Sequence, residues 1–88
     1  MTVFTFKTTL EYADNLYYHK RMFDMREKTK GIKVGDIIRY EPWYRGKPVK
    51  GHGITGKRFQ VIYIDGDDPR VMKNFDIFQL KEIEPEFE

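Results

Sequence analysis

The 88 residues suffice for one domain, and at that size only roughly 60% of the surface exposed by the unfolded chain becomes buried. Cysteine is absent, which excludes disulfides, thiolate metal sites and a cysteine nucleophile and fits a reducing compartment, while 40% hydrophobic and 16% aromatic content argues for a packed fold. The net charge of +2 hides an asymmetry: residues 1–18 sum to −1, residues 19–57 to +7 and residues 58–88 to −4.

Val3 to Lys7 alternates in character and predicts a short strand. Thr8 or Thr9 can then cap a helix through about Lys20, whose apolar positions Leu10, Tyr12, Ala13, Leu16, Tyr17 and Tyr18 recur at helical spacing. Met22 to Arg26 alternates with period two, with Phe23 and Met25 on one side and Met22, Asp24 and Arg26 on the other. Glu27 to Lys33 is polar and reads as a loop, and Val34-Gly35-Asp36 turns into a strand over about Ile37 to Trp43. Residues 44–57, YRGKPVKGHGITGK, predict a mobile basic loop too long for a tight hairpin. Phe59 to Ile64 is the clearest strand, closed by the acidic turn Asp65 to Pro69, and the last strand runs over about Phe75 to Ile83, with residues 84–88 frayed. The order strand, helix, four strands has no βαβ repetition, so an α+β fold with a mostly antiparallel sheet curling toward a barrel is expected over residues 1–88. The apolar runs are far too short for a membrane span or a signal-peptide core, and a cytoplasmic protein is the expectation.

Asp24 and Arg26 lie two apart on a predicted strand and so share a face. Lining a cleft, a carboxylate and a guanidinium can read the edge of a base; the alternative is an exposed ion pair on an edge strand, worth little. A second constellation mixes aromatic and basic groups: Tyr40, Trp43 and Tyr44 precede Arg45, Lys47, Lys50, His52 and Lys57. Aromatic faces stack on bases and cations hold phosphates, whereas the plainer reading has Tyr40 and Trp43 in the core and the lysines solubilising a loop. Tyr40 and Trp43 have opposite parity on a strand, and Pro42 between them suggests a break that leaves Trp43 partly exposed.

Three tempting patterns do not hold. Gly51 to Lys57 matches the start of a phosphate-binding P-loop, but Arg58 stands where the magnesium-binding Ser or Thr belongs and the segment feeds a strand. Asp65, Asp67 and Asp68 lack the twelve-residue calcium-loop pattern. His19 and His52 have no spacing that suggests a transition-metal site, so no metal and no cofactor is expected.

One stretch carries a family likeness. His19-Lys20-Arg21-Met22-Phe23-Asp24-Met25-Arg26, a polar loop, then Gly31-Ile32-Lys33-Val34-Gly35-Asp36 resembles the ASCH superfamily, closest to the small phage and bacterial group DUF3850 with its approximate pattern G-R-K-T-F-E-I-R, loop, G-F-K-V-G-D. The closing Phe75 to Leu80 fits the same layout. The resemblance implies a PUA-like β-barrel with one main helix after the first strand, a cleft beside that helix and the second strand, and binding of RNA or modified nucleotides. Arg21 stands at the family's Lys, Asp24 at its Glu, Arg26 at its Arg, and Gly35 and Asp36 match outright. Family members that hydrolyse acylated cytidine use a Lys and a Thr here; Arg21 and Asp24 replace them, and an arginine does not act as a base at neutral pH.

The expectation is a non-catalytic module for nucleic acid, RNA first, or for a nucleotide, using Lys20, Arg21, Asp24, Arg26, Tyr40, Trp43, Arg45, Lys47, Lys50 and Lys57. One alternative is an interaction module of a phage or mobile element that inhibits a host nucleic-acid enzyme. Another is a hydrolase of a modified nucleoside, with Asp24 or Glu41 as base and Tyr40 assisting. A monomer or weak homodimer is expected, the latter through Phe6, Tyr17, Tyr18 or Phe78 if any of them lies outside the core.

Overall fold

In a computed structural model, which describes residues 1–66 and 73–84, the chain begins with strand β1 (Val3–Thr9) and passes directly into helix α1 (Leu10–Tyr17). Thr9 is the hinge between them: its backbone is extended, and its side-chain oxygen accepts a hydrogen bond from the Tyr12 amide at 3.1 Å. The helix buries Ala13 and Leu16 and stops three residues before the expected end. His19 takes a left-handed conformation (φ 57°), and the amides of Tyr18, His19 and Lys20 return to the carbonyls of Asp14, Leu16 and Asn15. Glycine usually supplies that conformation, so nothing in the local sequence signals the stop.

Strand β2 (Phe23–Glu27) follows, then a single 3₁₀ turn at Lys28–Lys30 inside the predicted loop, and β3 (Ile37–Tyr44). Gly35, at φ 97°, and Asp36 form the joint before β3. The buried Asp36 carboxylate accepts the Thr2 amide at 3.0 Å and the Lys33 amide at 2.8 Å. Backbone bonds from Gly35 to Val61 and from Val61 to Asp36 dock this joint on the fifth strand, so the Gly-Asp pair shared with the ASCH pattern ties the chain together here.

Pro42 does not break β3: the strand pairs with β1 in continuous register from Val3↔Ile37 to Thr9↔Trp43. Proline is tolerated because the fifth strand pairs with β3 only at Ile37 and Ile38, and beside Pro42 the carbonyl is what is used, accepting the Val49 amide at 2.8 Å. Residues 44–57 are also more ordered than expected. Arg45 (φ 50°) and Gly46 (φ 77°) make a two-residue turn into β4 (Lys47–Pro48), the positive-φ pair that a type I′ hairpin requires. A 3₁₀ turn at Gly53–Gly56 then drops Ile54 into the core, and His52 fixes it by accepting the Ile54 amide on Nδ1 at 3.0 Å and holding Asp14 through Nε2 at 2.7 Å. Gly53 lies flat against Tyr17, whose ring leaves no room for a β-carbon.

Strands β5 (Arg58–Asp65) and β6 (Phe75–Ile83) complete a six-stranded mixed sheet of order β1-β3-β5-β6-β2, with β4 alongside β3. Among the described residues only β1 and β3 run parallel, the other pairs are antiparallel and there is one α-helix, which makes a small α+β domain. Among the described residues no ladder joins β1 to β2, so the sheet is not a closed barrel. Those two edges are instead bridged by Arg26, whose Nη2 donates to the Lys7 carbonyl at 3.2 Å, while Tyr12 of α1 reaches β2 with its Oη donating to the Phe23 carbonyl. The core gathers α1 (Leu16), β3 (Ile38, Tyr40), β5 (Phe59) and β6 (Phe78) around Ile54. Phe6 and Phe78 are buried in it, which removes them as docking surface, while Tyr17 and Tyr18 are exposed. Among the described residues no helix is long and apolar enough to cross a membrane. The expected acidic turn at Asp67 to Pro69 and the frayed end at 85–88 lie outside the described residues.

Candidate functional site

The gap between β1 and β2 is the candidate site, and the alternation of β2 builds its floor. Asp24 and Arg26 point inward while Phe23 and Met25 face out. The Asp24 carboxylate is nearly enclosed and fully engaged. Its Oδ1 accepts the Met25 amide at 2.8 Å, and its Oδ2 accepts Arg26 Nε at 3.0 Å and Tyr40 Oη at 2.8 Å. Asp24 therefore orients its neighbours, and the guanidinium it holds is the group left to meet a ligand. Arg26 lies 4.5 Å over the Phe6 ring, gives Nη2 to the Lys7 carbonyl, and keeps Nη1 without a hydrogen-bond partner among the described residues. A planar, permanently charged guanidinium held at Nε and Nη2 is pre-organised to present Nη1 to a phosphate or to an acceptor on a base.

Behind this pair stand two phenols. Burial pushes the Tyr40 hydroxyl far above its ordinary range, and the Asp24 charge, the neighbouring Tyr12 and the bond to Asp24 add to it against the opposing pull of Arg26. Burial and then the Asp24 charge raise Tyr12 as well, opposed by Arg26 and Arg21. Both phenols stay protonated and donate, Tyr40 to Asp24 and Tyr12 to the Phe23 carbonyl, with their rings edge-on at 6.1 Å. Every buried side-chain nitrogen and oxygen among the described residues has a partner, so the cluster is fully satisfied.

The opposite wall comes from β1 and β3. Lys7 Nζ sits 4.3 Å over the ring of Trp43, whose Nε1 donates to Glu41 at 2.7 Å. Together Lys7, Thr8, Thr9, Tyr12, Asp24, Arg26 and Trp43 line a cleft of about 500 Å³, within the range of small-molecule sites. Half-buried, Trp43 offers an aromatic wall to it.

The predicted site residues divide sharply. Asp24, Arg26 and Trp43 meet in the cleft, and Tyr40 lies directly behind it as a buried donor. Lys20 and Arg21 stand outside, at the α1–β2 connection, over the rings of Tyr18 and Phe23 at 5.9 and 5.3 Å. Arg45 stacks on Tyr44 at 5.2 Å beside a neighbouring shallow hollow. Lys47 and Lys50 are exposed on the hairpin side, and Lys57 is engaged with Glu82 at 3.1 Å and Tyr17. Sequence reading missed Lys7, Thr8, Thr9 and Tyr12, which enter because β1 pairs in parallel with β3; no local pattern announces such a pairing.

Neither histidine lines the cleft: His19 holds Glu82 at 2.8 Å and His52 holds Asp14. Among the described residues no three His, Asp or Glu side chains gather as metal ligands. The two candidate bases of the hydrolase alternative are both occupied, Asp24 by three donors and Glu41 by the Trp43 indole. No protein-family model matches the chain, and no curated protein matches it, so the likeness to the ASCH superfamily rests on the residues quoted above.

Proposed function

We propose that this chain is an ASCH-type, PUA-like domain that binds nucleic acid, RNA first, through the β1–β2 cleft, and that it does so without chemistry of its own. The observation that carries this reading is the Arg26 guanidinium, fixed by Asp24 at the mouth of a cleft whose other wall is Trp43 capped by Lys7. The fork serves phosphate or the acceptor edge of a base, Trp43 serves its face, and the Thr8 and Thr9 side chains add polar contacts. The side-chain bridge from Arg26 to Lys7 supports the barrel-like closure of the proposed fold, with the ligand seated where a barrel ladder would otherwise run. The charge of +7 over residues 19–57 supports an anionic partner.

The test is titration of a single-stranded RNA octamer into the protein, followed by the fluorescence of Trp43, the only tryptophan. Quenching that weakens steeply with added salt is expected, with a log–log slope of about −0.7 per phosphate held. An affinity that is flat between low and high salt, or a tryptophan signal that never changes, contradicts the reading.

A further inference from the structure

Strand β2 has a second face. Phe23 and Met25 point away from the cleft and are each 45% exposed, an unusual position for two large apolar side chains on one short strand. The register extends this face across the sheet: Phe23 lies opposite Gln79 on β6, and Gln79 opposite Tyr63 on β5. Tyr63 is there because of an irregularity. Phe59 and Val61 point inward, and uninterrupted alternation would turn Tyr63 inward too. A bulge at Ile62, between Val61↔Leu80 and Tyr63↔Gln79, reverses the parity and leaves Tyr63 54% exposed. The result is a row of Phe23, Gln79 and Tyr63 on the outer face, around a hollow of about 540 Å³ with Ile77 in its lining.

Charge distinguishes the two flanks of the row. On one flank Arg21 lies 5.3 Å over the Phe23 ring, and a bond from the Leu80 amide to the Met22 carbonyl carries the β2–β6 register onward, so that Lys81, exposed, is on the same flank. On the opposite flank the hollow is lined by Ile77 and Asp65. Two aromatic rings with an amide between them and cations along one flank match a nucleotide chain with its bases on the rings and its phosphates toward Arg21 and Lys81. Rings on strands two ladders apart, about 10 Å, accept successive bases, one on each, rather than clamping a single base.

We infer that the outer face of β2, β6 and β5 is a second nucleic-acid site, on which unpaired bases stack on Phe23 and Tyr63. It is separate from the cleft, and its test does not depend on the cleft being correct. The probe is an octauridylate carrying 4-thiouridine, crosslinked by light and mapped by tryptic digestion. Residues 59–70 form one tryptic peptide that contains Tyr63 and no cleft residue. Crosslinks on that peptide at Tyr63 are expected. Phe23→Ala and Tyr63→Ala should each weaken octamer binding about tenfold, Tyr63→Leu should lose as much as Tyr63→Ala, and Tyr63→Phe should bind as the wild type does. Both side chains are exposed, and each variant's melting temperature checks that the fold is kept. Crosslinks confined to cleft residues with unchanged affinity in both alanine variants would overturn this site and leave the cleft standing. Wild-type binding by Tyr63→Leu, or concentration-dependent dimers that Tyr63→Ala dissolves and RNA does not, would mark the face as a generic apolar contact and overturn it too. No binding of the octamer at all would remove both sites.

Discussion

Two carboxylates are buried among the described residues, and they are used differently. Asp36 is spent on backbone: it accepts amides from Thr2 and Lys33 and so fastens the amino-terminal segment and the loop before β3. Asp24 is spent on side chains: apart from the amide of Met25, it holds the guanidinium of Arg26 and the phenol of Tyr40. A carboxylate closed on main-chain donors stabilises a joint and offers nothing further. One closed on a cation that still has an uncommitted nitrogen aims that cation at whatever enters the cleft. Both lie in the stretch that resembles the ASCH pattern, so the likeness there mixes residues that hold the fold with residues proposed to hold a ligand.

The contrast predicts different losses. Asp36→Ala leaves two amides without their charged acceptor and is expected to cost about 3 kcal/mol of stability in denaturant titration, with the affinity of the folded fraction for RNA unchanged. A loss of affinity without a loss of stability would reverse the roles assigned here. Tyr40→Phe removes one donor from Asp24 and is expected to cost about 1 kcal/mol while Arg26 keeps its anchor. A cost near zero would mean that the phenol adds nothing to the cluster.

The smallest effect belongs to a surface pair that neither carboxylate touches. Glu82 is held below the ordinary carboxylate range by its bond to His19 first; burial opposes this, and the bond to Lys57 and the charges of Lys57 and His19 add to the lowering. A lowered carboxyl contributes stability above its unfolded value and loses it as the pH falls through the folded one. Glu82→Gln should therefore cost about 0.5 kcal/mol at neutral pH. Its stability curve should meet the wild-type curve as the pH drops below the usual glutamate value of 4.5. Curves that stay parallel into acid would show that the pair contributes nothing.

Much of the local structure was legible. The alternation at Met22 to Arg26 placed Asp24 and Arg26 on one face, and the last strand, Phe75–Ile83, has the predicted bounds. What the sequence hid falls into two kinds. Some features rest on conformations that their residue types rarely adopt: His19 ends the helix, and Arg45 opens the β3–β4 turn, each at positive φ without the glycine or asparagine that usually signals it. Others rest on long-range register. The parallel pairing of β1 with β3 brings Lys7 to Trp43, and the bulge at Ile62 turns Tyr63 outward; neither leaves a mark within its own segment. The order of the basic loop was hidden for a related reason: buried Ile54 and the His52–Asp14 contact pin its later half, and Lys57 reaches Glu82 on β6.

The claim on which the functional reading turns is that Asp24 makes Arg26 a directed fork rather than a diffuse charge. Arg26→Lys keeps the charge and loses the planar pair of donors, which isolates that property. Measured by Trp43 fluorescence with the RNA octamer at fixed salt, the account predicts about tenfold weaker binding by a variant that melts within a few degrees of the wild type. Equal affinity in the two proteins would contradict it and reduce the cleft to one more positive patch.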